Sequence, residues 1–132
     1  MSTNLFSVTT PKANVELTQE GHVRIYVHEN SDVNLNDIKQ INEAKKKIVG
    51  HGKHTVLFLV PAIGNLSNSA REFSASQEAN HNAIAKALVV KNLAGRLICR
   101  FFINVNKPPS PTKIFKCERE ASSWLNKMRL VS

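Results

Sequence analysis

A chain of 132 residues with 42% hydrophobic and 21% charged residues holds enough apolar material for one folded domain. That balance excludes a disordered or low-complexity chain. Its formal charge of +8 is lopsided, because residues 1–85 carry eight Lys/Arg and eight Asp/Glu whereas residues 86–132 carry ten Lys/Arg and two Asp/Glu, so the excess describes a surface and its partners, not a reaction.

The first twelve residues are polar, end in Thr10-Pro11-Lys12 and read as a flexible N-terminal arm, leaving residues 13–132 as a single domain. The start has neither a basic n-region nor an apolar h-region, and no apolar run reaches the ~18 residues of a membrane span. A cytoplasmic protein without a transmembrane segment is the expectation. Val15 and Leu17, then Val23, Ile25 and Val27, alternate with polar residues around Gln19-Glu20-Gly21, the pattern of a β-hairpin. Asn34, with Asp37 three residues on, predicts a capped helix that carries Ile38, Ile41 and Ile48 and closes on Lys45-Lys46-Lys47 before Gly50. The unbroken run Thr55–Val60 predicts a strand buried on both faces and stopped by Pro61.

A turn at Gly64-Asn65 and a second capping box from Ser69 to Glu72 lead into a helix with Ala70 and Phe73 on one side. Ile84–Val90 predicts another buried strand. Over Asn92–Asn106, residues Leu93, Leu97, Ile98, Phe101, Phe102 and Val105 predict a helix with one wide apolar face turned to the sheet. Pro108, Pro109 and Pro111 end it. Thr112–Phe115 predicts a short strand, and Glu118, Glu120, Ala121, Trp124, Leu125 and Met128 a closing helix, acidic in its first turn. The order ββαβαβαβα predicts an α/β fold with a mixed sheet of about five strands, parallel apart from an antiparallel hairpin edge, and four helices. Its first strand, left as an unpaired edge, is compatible with a homodimer.

This order, together with a helix opening on a Ser/Asn cluster after the third strand, resembles the STAS domain family, the fold of bacterial anti-sigma-factor antagonists. The stretch from Lys86 to Leu125, with its Asn92-Leu-Ala-Gly-Arg-Leu-Ile-Cys-Arg-Phe-Phe helix, Lys107-Pro-Pro-Ser-Pro-Thr-Lys-Ile-Phe turn and strand, and Glu120-Ala-Ser-Ser-Trp-Leu helix, is similar to small bacterial STAS/SEC14-like proteins of unknown function. The resemblance implies a regulatory or ligand-binding module. It also implies a phosphoacceptor region at Ser67, Asn68 and Ser69, where the family's Asp is absent and Asn68 falls near the acceptor position.

Catalytic patterns are missing. His51 and His54 lack a third metal ligand nearby and read as part of an exposed, solvated turn, and the remaining histidines, His22, His28 and His81, read as solvated too. Gly50-His-Gly-Lys53 leads into a strand instead of following one, so it is no phosphate loop. Cys99 and Cys117 match no metal or redox spacing and read as reduced thiols. No cofactor, metal or enzymatic role is expected.

The basic half remains. Arg96, Arg100 and Lys107 fall at spacings of four and seven, and Lys91, Lys113 and Lys116 extend the stripe into a candidate surface for an anionic group or partner. The alternative is a solvated helix face. Nucleic acid is disfavoured because Phe101 and Phe102 are assigned to the core and are not free to stack on bases. Membrane-surface binding lacks exposed apolar anchors on the same assignment. The functional expectation is a non-enzymatic module that binds a protein or a small anionic or apolar ligand. Its alternatives are a phosphorylation-regulated switch and a carrier of an apolar or lipid ligand.

Overall fold

The computed structural model describes residues 6–61 and 63–132. Eight strands and four helices follow one another as β1 (Ser7–Thr9), β2 (Ala13–Leu17), β3 (His22–Val27), β4 (Ser31–Val33), α1 (Leu35–Val49), β5 (His54–Leu59), β6 (Ile63–Leu66), α2 (Asn68–Ser74), β7 (Ala83–Val89), α3 (Leu93–Phe101), β8 (Thr112–Phe115) and α4 (Glu118–Leu130). Six strands form one sheet in the order β1-β2-β3-β5-β7-β8, and β4 pairs with β6 in a separate two-stranded ladder. The β1–β2 and β2–β3 pairs are antiparallel, and every pair from β3 to β8 is parallel. The predicted order is therefore present, with β1, β4 and β6 added to it.

Those additions correct three expectations. Residues 7–9 of the presumed arm are an edge strand in register with Asn14–Glu16; residues 1–5 of that arm lie outside the described residues. β2 is consequently not a free edge, and that position passes to β1. Asn65, expected in a turn, belongs to β6 and pairs with Asp32.

α1 starts as predicted. The Asn34 side chain accepts a hydrogen bond from the Asp37 amide at 2.9 Å while the Asp37 carboxylate accepts from the Asn34 amide at 3.0 Å. α2 does not, because Ser67 is its cap and accepts from the Ala70 amide at 3.1 Å, whereas the Ser69 side chain lies exposed within the first turn.

Strand alternation separates two cores. Val56 of β5 packs with Val15, Val23 and Ile25 beneath Ile41 and Ala44 of α1. Leu57 and Leu59 point the other way and, with Ala85, Ala87 and Val89 of β7, meet Ala121 and Leu125 of α4. Leu88 and Val90 return to the first face, under Cys99 of α3. Lys86, alternating with Ala85 and Ala87, is carried onto that first face too.

α3 approaches the sheet at Gly95, where a Cβ would lie 2.5 Å from Val90 Cγ1 and 2.8 Å from the Asn92 carbonyl oxygen that caps the helix. After Phe101 the chain continues as a π-helical turn, Phe102–Asn106, and stops at Lys107 in the left-handed region, φ 50°. Gly95→Ala is expected to lower stability by about 1–3 kcal/mol through overpacking, measured as a lower urea midpoint. An unchanged midpoint would show that α3 is free to lift.

Candidate functional site

The outward side of α3 departs most from expectation. Leu93, Leu97, Phe101 and Val105 are 63%, 54%, 51% and 58% exposed. The sheet is covered by the residues between them, namely Gly95, Cys99 and Phe102, with Ile98 and Ile103 half-buried. The helix thus has apolar side chains on both sides, and the wide face assigned to the core is split between core and solvent.

Of the predicted basic residues, Arg96 and Arg100 lie on α3 beside the exposed stripe, whereas Lys113, in register with Ala87 and on the same side of β8 as Phe115, belongs to the α4 face of the sheet. Lys91, Arg100, Lys107, Lys113 and Lys116 are exposed. Arg96 is half-buried and donates to the carbonyls of Val90 and Lys91 at 3.4 and 2.6 Å, bracing the start of α3. Lys113 Nζ stands 5.5 Å from the Phe115 ring centroid. None of the six pairs with a carboxylate among the described residues. Arg71 of α2 joins the side of the stripe, its guanidinium 5.4 Å from the Phe101 ring centroid. At the presumed phosphoacceptor region, the Ser67 hydroxyl is occupied as helix cap, Asn68 accepts from Arg71 Nη2, and Ser69 is exposed.

A second feature lies beneath α3. Between the sheet and α1, α2 and α3 is a cavity of about 120 Å³, walled by Ile25, Ile41, Phe58, Leu88, Cys99 and Phe102. Two lysines enter it, Lys45 from α1 and Lys86 from β7, only 6% and 5% exposed. Lys45 Nζ donates to the Ala79 carbonyl at 2.7 Å and Lys86 Nζ to the Ser74 carbonyl at 3.3 Å. Asn42, one turn before Lys45, also lines the cavity, and its amide Nδ2 is buried without a partner. Asn42 and Lys45 are shared with an adjoining polar cleft of about 570 Å³, bordered further by Lys46, His51, His54, Glu78 and His81.

Sequence patterns held a signal for both lysines. Lys45 falls four and seven residues after Ile41 and Ile38, on the inward stripe of α1, although the Lys45-Lys46-Lys47 run reads as a cationic helix end. Lys86 interrupts a run that is otherwise wholly apolar from Ala83 to Val90. A charge at a doubly buried register is expensive, so it marks a site more strongly than surface lysines do.

Electrostatics follow from that burial. Desolvation, with the Lys45 charge adding to it, lowers the Lys86 pKa to about 7. Desolvation and then the Lys46 charge lower Lys45 to about 8. His54, buried at the cleft with Nδ1 2.9 Å from the Gly52 carbonyl, is lowered by burial and further by the Lys45, Lys86 and His81 charges. His22 is wholly buried on the opposite face, where its Nδ1 lies 2.6 Å from Thr55 Oγ1 and accepts from Arg129 Nη2 at 3.0 Å. Its pKa is lowered by burial and by Arg129. Both imidazoles were expected to be solvated, and α4 for His22 and the α1–β5 corner for His54 account for the difference. Burial raises the Cys99 thiol to about 11, an unreactive wall of the cavity, and no group of three or more His, Cys, Asp or Glu that could hold a metal occurs among the described residues.

The pH dependence has one sign. The folded lysines titrate near 7 and 8 and the unfolded ones near 10.5, so between these values the unfolded chain binds more protons and stability rises with pH. His22 and His54 act likewise lower down, where stability falls as pH drops through the unfolded imidazole value of 6.5. The urea midpoint should climb from pH 7 to pH 9. Lys86→Met should raise it at pH 7 and flatten the climb. A midpoint indifferent to pH across that window would place both ammonium groups in water.

Among the described residues no helix is long and apolar enough to cross a membrane. Comparison with curated proteins gives no match. Among solved structures, the chain is similar to an uncharacterised protein of the DUF3478 family from Shewanella loihica PV-4, described as having a SpoIIAA-like fold. The TM-score is 0.63 and the identity 16%, over 95% of this chain and 98% of that one. A protein of unknown function from Arthrobacter sp. FB24 aligns over 89% of this chain and 95% of its own, with 22% identity and a TM-score of 0.31. The first likeness gives the fold, which is SpoIIAA-like and hence STAS-like. A family model for a domain of unknown function, DUF7793, matches residues 16–129, and the chain belongs to that family.

Proposed function

We propose that the protein is a non-enzymatic STAS-like module that binds a small ligand in the cavity beneath α3. The observation that supports this most is the cavity itself. It is a half-open apolar hollow of about 120 Å³ under three helices, and concave, mostly apolar space with a few converging polar groups is what small-molecule sites use. An apolar cavity of ~150 Å³ admits benzene, so this one suits a body of roughly six non-hydrogen atoms. That size narrows the expectation of an apolar carrier, because a full acyl chain does not fit.

Titration with toluene and hexan-1-ol, followed by amide NMR, should shift Phe58, Lys86, Cys99 and Phe102 together. Cys99→Phe, which fills the chamber, should abolish those shifts with the fold retained. Shifts confined to surface residues, or none at all, would remove the cavity as a ligand site.

A second reading is favoured by the exposed stripe Leu93, Leu97, Phe101 and Val105 beside Arg96 and Arg100. We infer a contact surface for an anionic partner, since apolar anchors next to cations are what peripheral attachment requires. Cosedimentation with phosphatidylserine vesicles should weaken several-fold on adding salt, in Arg96→Glu/Arg100→Glu, and in Leu97→Ser/Phe101→Ser. Binding unmoved by the charge reversals would leave the stripe a solvated face.

A further inference from the structure

The inner end of the cavity is chemically one-sided. Three side chains that are at least nine-tenths buried, Asn42, Lys45 and Lys86, bring to it two amines and a carboxamide whose N–H groups lack a partner among the described residues. Each ammonium has three N–H groups, and each is given one protein acceptor, the Ala79 carbonyl for Lys45 and the Ser74 carbonyl for Lys86. The Asn42 Nδ2 amide has none. Among the described residues no carboxylate lines the cavity, and Glu78, on the neighbouring cleft, lies 4.0 Å from Lys46. Buried cations are ordinarily paired, because leaving them unpaired costs several kcal/mol each. Here the pairing anion is what the protein itself does not supply.

We propose that the cavity takes a small organic acid, its apolar body lying against Phe58, Leu88 and Phe102 and its carboxylate held by Lys45, Lys86 and the Asn42 amide. This rests on the reading of the cavity as a ligand site and specifies the ligand class. A monocarboxylate fits the site better than a phosphate: two acceptor oxygens meet two ammonium groups, and a dianion would lose more hydration on entering an apolar chamber of this size. Two surroundings act on the lysines. The interior offers them only carbonyls, and the cleft side presents Lys46, His51, His54, Glu78 and His81. Since only the protonated amines attract a carboxylate, the acid should bind best below the point where Lys86 and Lys45 lose their protons, near 7 and 8, and binding above it should take up protons from the buffer.

Calorimetric titration with benzoate and with benzamide, equal in shape and differing in charge, tests this at pH 6 and pH 9. Benzoate should bind at least tenfold tighter than benzamide at pH 6 and lose that advantage at pH 9, while benzamide binding stays level. Lys86→Met and Lys45→Met should each remove the benzoate preference, with far-UV circular dichroism verifying the fold, and two variants guard against one that fails to fold. Equal binding of benzoate and benzamide at pH 6 would overturn the carboxylate assignment and leave the cavity as a site for neutral molecules. Binding of neither, together with unshifted cavity amides in the toluene titration, would overturn both.

Discussion

Two ammonium groups drawn out of water, with main-chain carbonyls as their only acceptors among the described residues, are the constraint around which one face of this molecule is arranged. The carbonyls belong to Ser74, the last residue of α2, and to Ala79 in the connection that leads from it to β7. Asn80 closes the same connection on itself, its side-chain amide donating to the carbonyls of Ser74 and Ser76 at 2.9 and 2.7 Å. The loop is thus tied from α1, from β7 and from within. Apolar residues at positions 45 and 86 would satisfy the fold more simply, since burying an unpaired cation opposes folding. A feature that lowers stability yet sits where three helices converge is characteristic of a site kept for binding.

The sheet divides the molecule by chemistry as well as by packing. On the α4 side, cations meet carboxylates, hydroxyls and carbonyls, although His22 Nε2 is left without a hydrogen bond. Arg24 meets Glu118 at 2.8 Å and Glu16 at 3.4 Å, and Arg129 donates to His22 and to Thr55 Oγ1 and reaches the Glu20 carbonyl. On the α1–α3 side two buried amines have main-chain carbonyls as their partners and no carboxylate among the described residues. The excess positive charge of the C-terminal half is therefore no single surface: Lys86 lies inside, Arg96 braces a helix start, and Arg100, Lys107, Lys113 and Lys116 face solvent.

Much of this architecture is legible in the residues, and what is not has physical reasons. The Asn34–Asp37 box, the continuous runs in β5 and β7, and the acid-first, base-last α4 are local signals, and the structure agrees with each of them. β1, β4 and β6 are three or four residues long, too short to show a period, and they exist only by pairing with distant partners. Ser67 and Ser69 are both competent caps, and only the path of the chain leaving β6 selects Ser67. For α3, composition gives an apolar helix without telling which of its two apolar sides is covered. The cavity was invisible for a different reason: Lys45 and Lys86 declare charge in the sequence, whereas their meaning lies in a register that only the folded sheet and helix bring together.

The state of Lys86 also bears on reactivity. An amine that titrates near 7 is, at neutral pH, partly a free base with an available lone pair, whereas ordinary surface lysines are almost entirely protonated and inert. Burial thus makes Lys86 a potential nucleophile and at the same time keeps electrophiles from it. The close seating of α3 at Gly95 then acts as a shield as well as a roof: lifting that helix would admit electrophiles, and would equally admit the water that returns the amine towards its ordinary, protonated state.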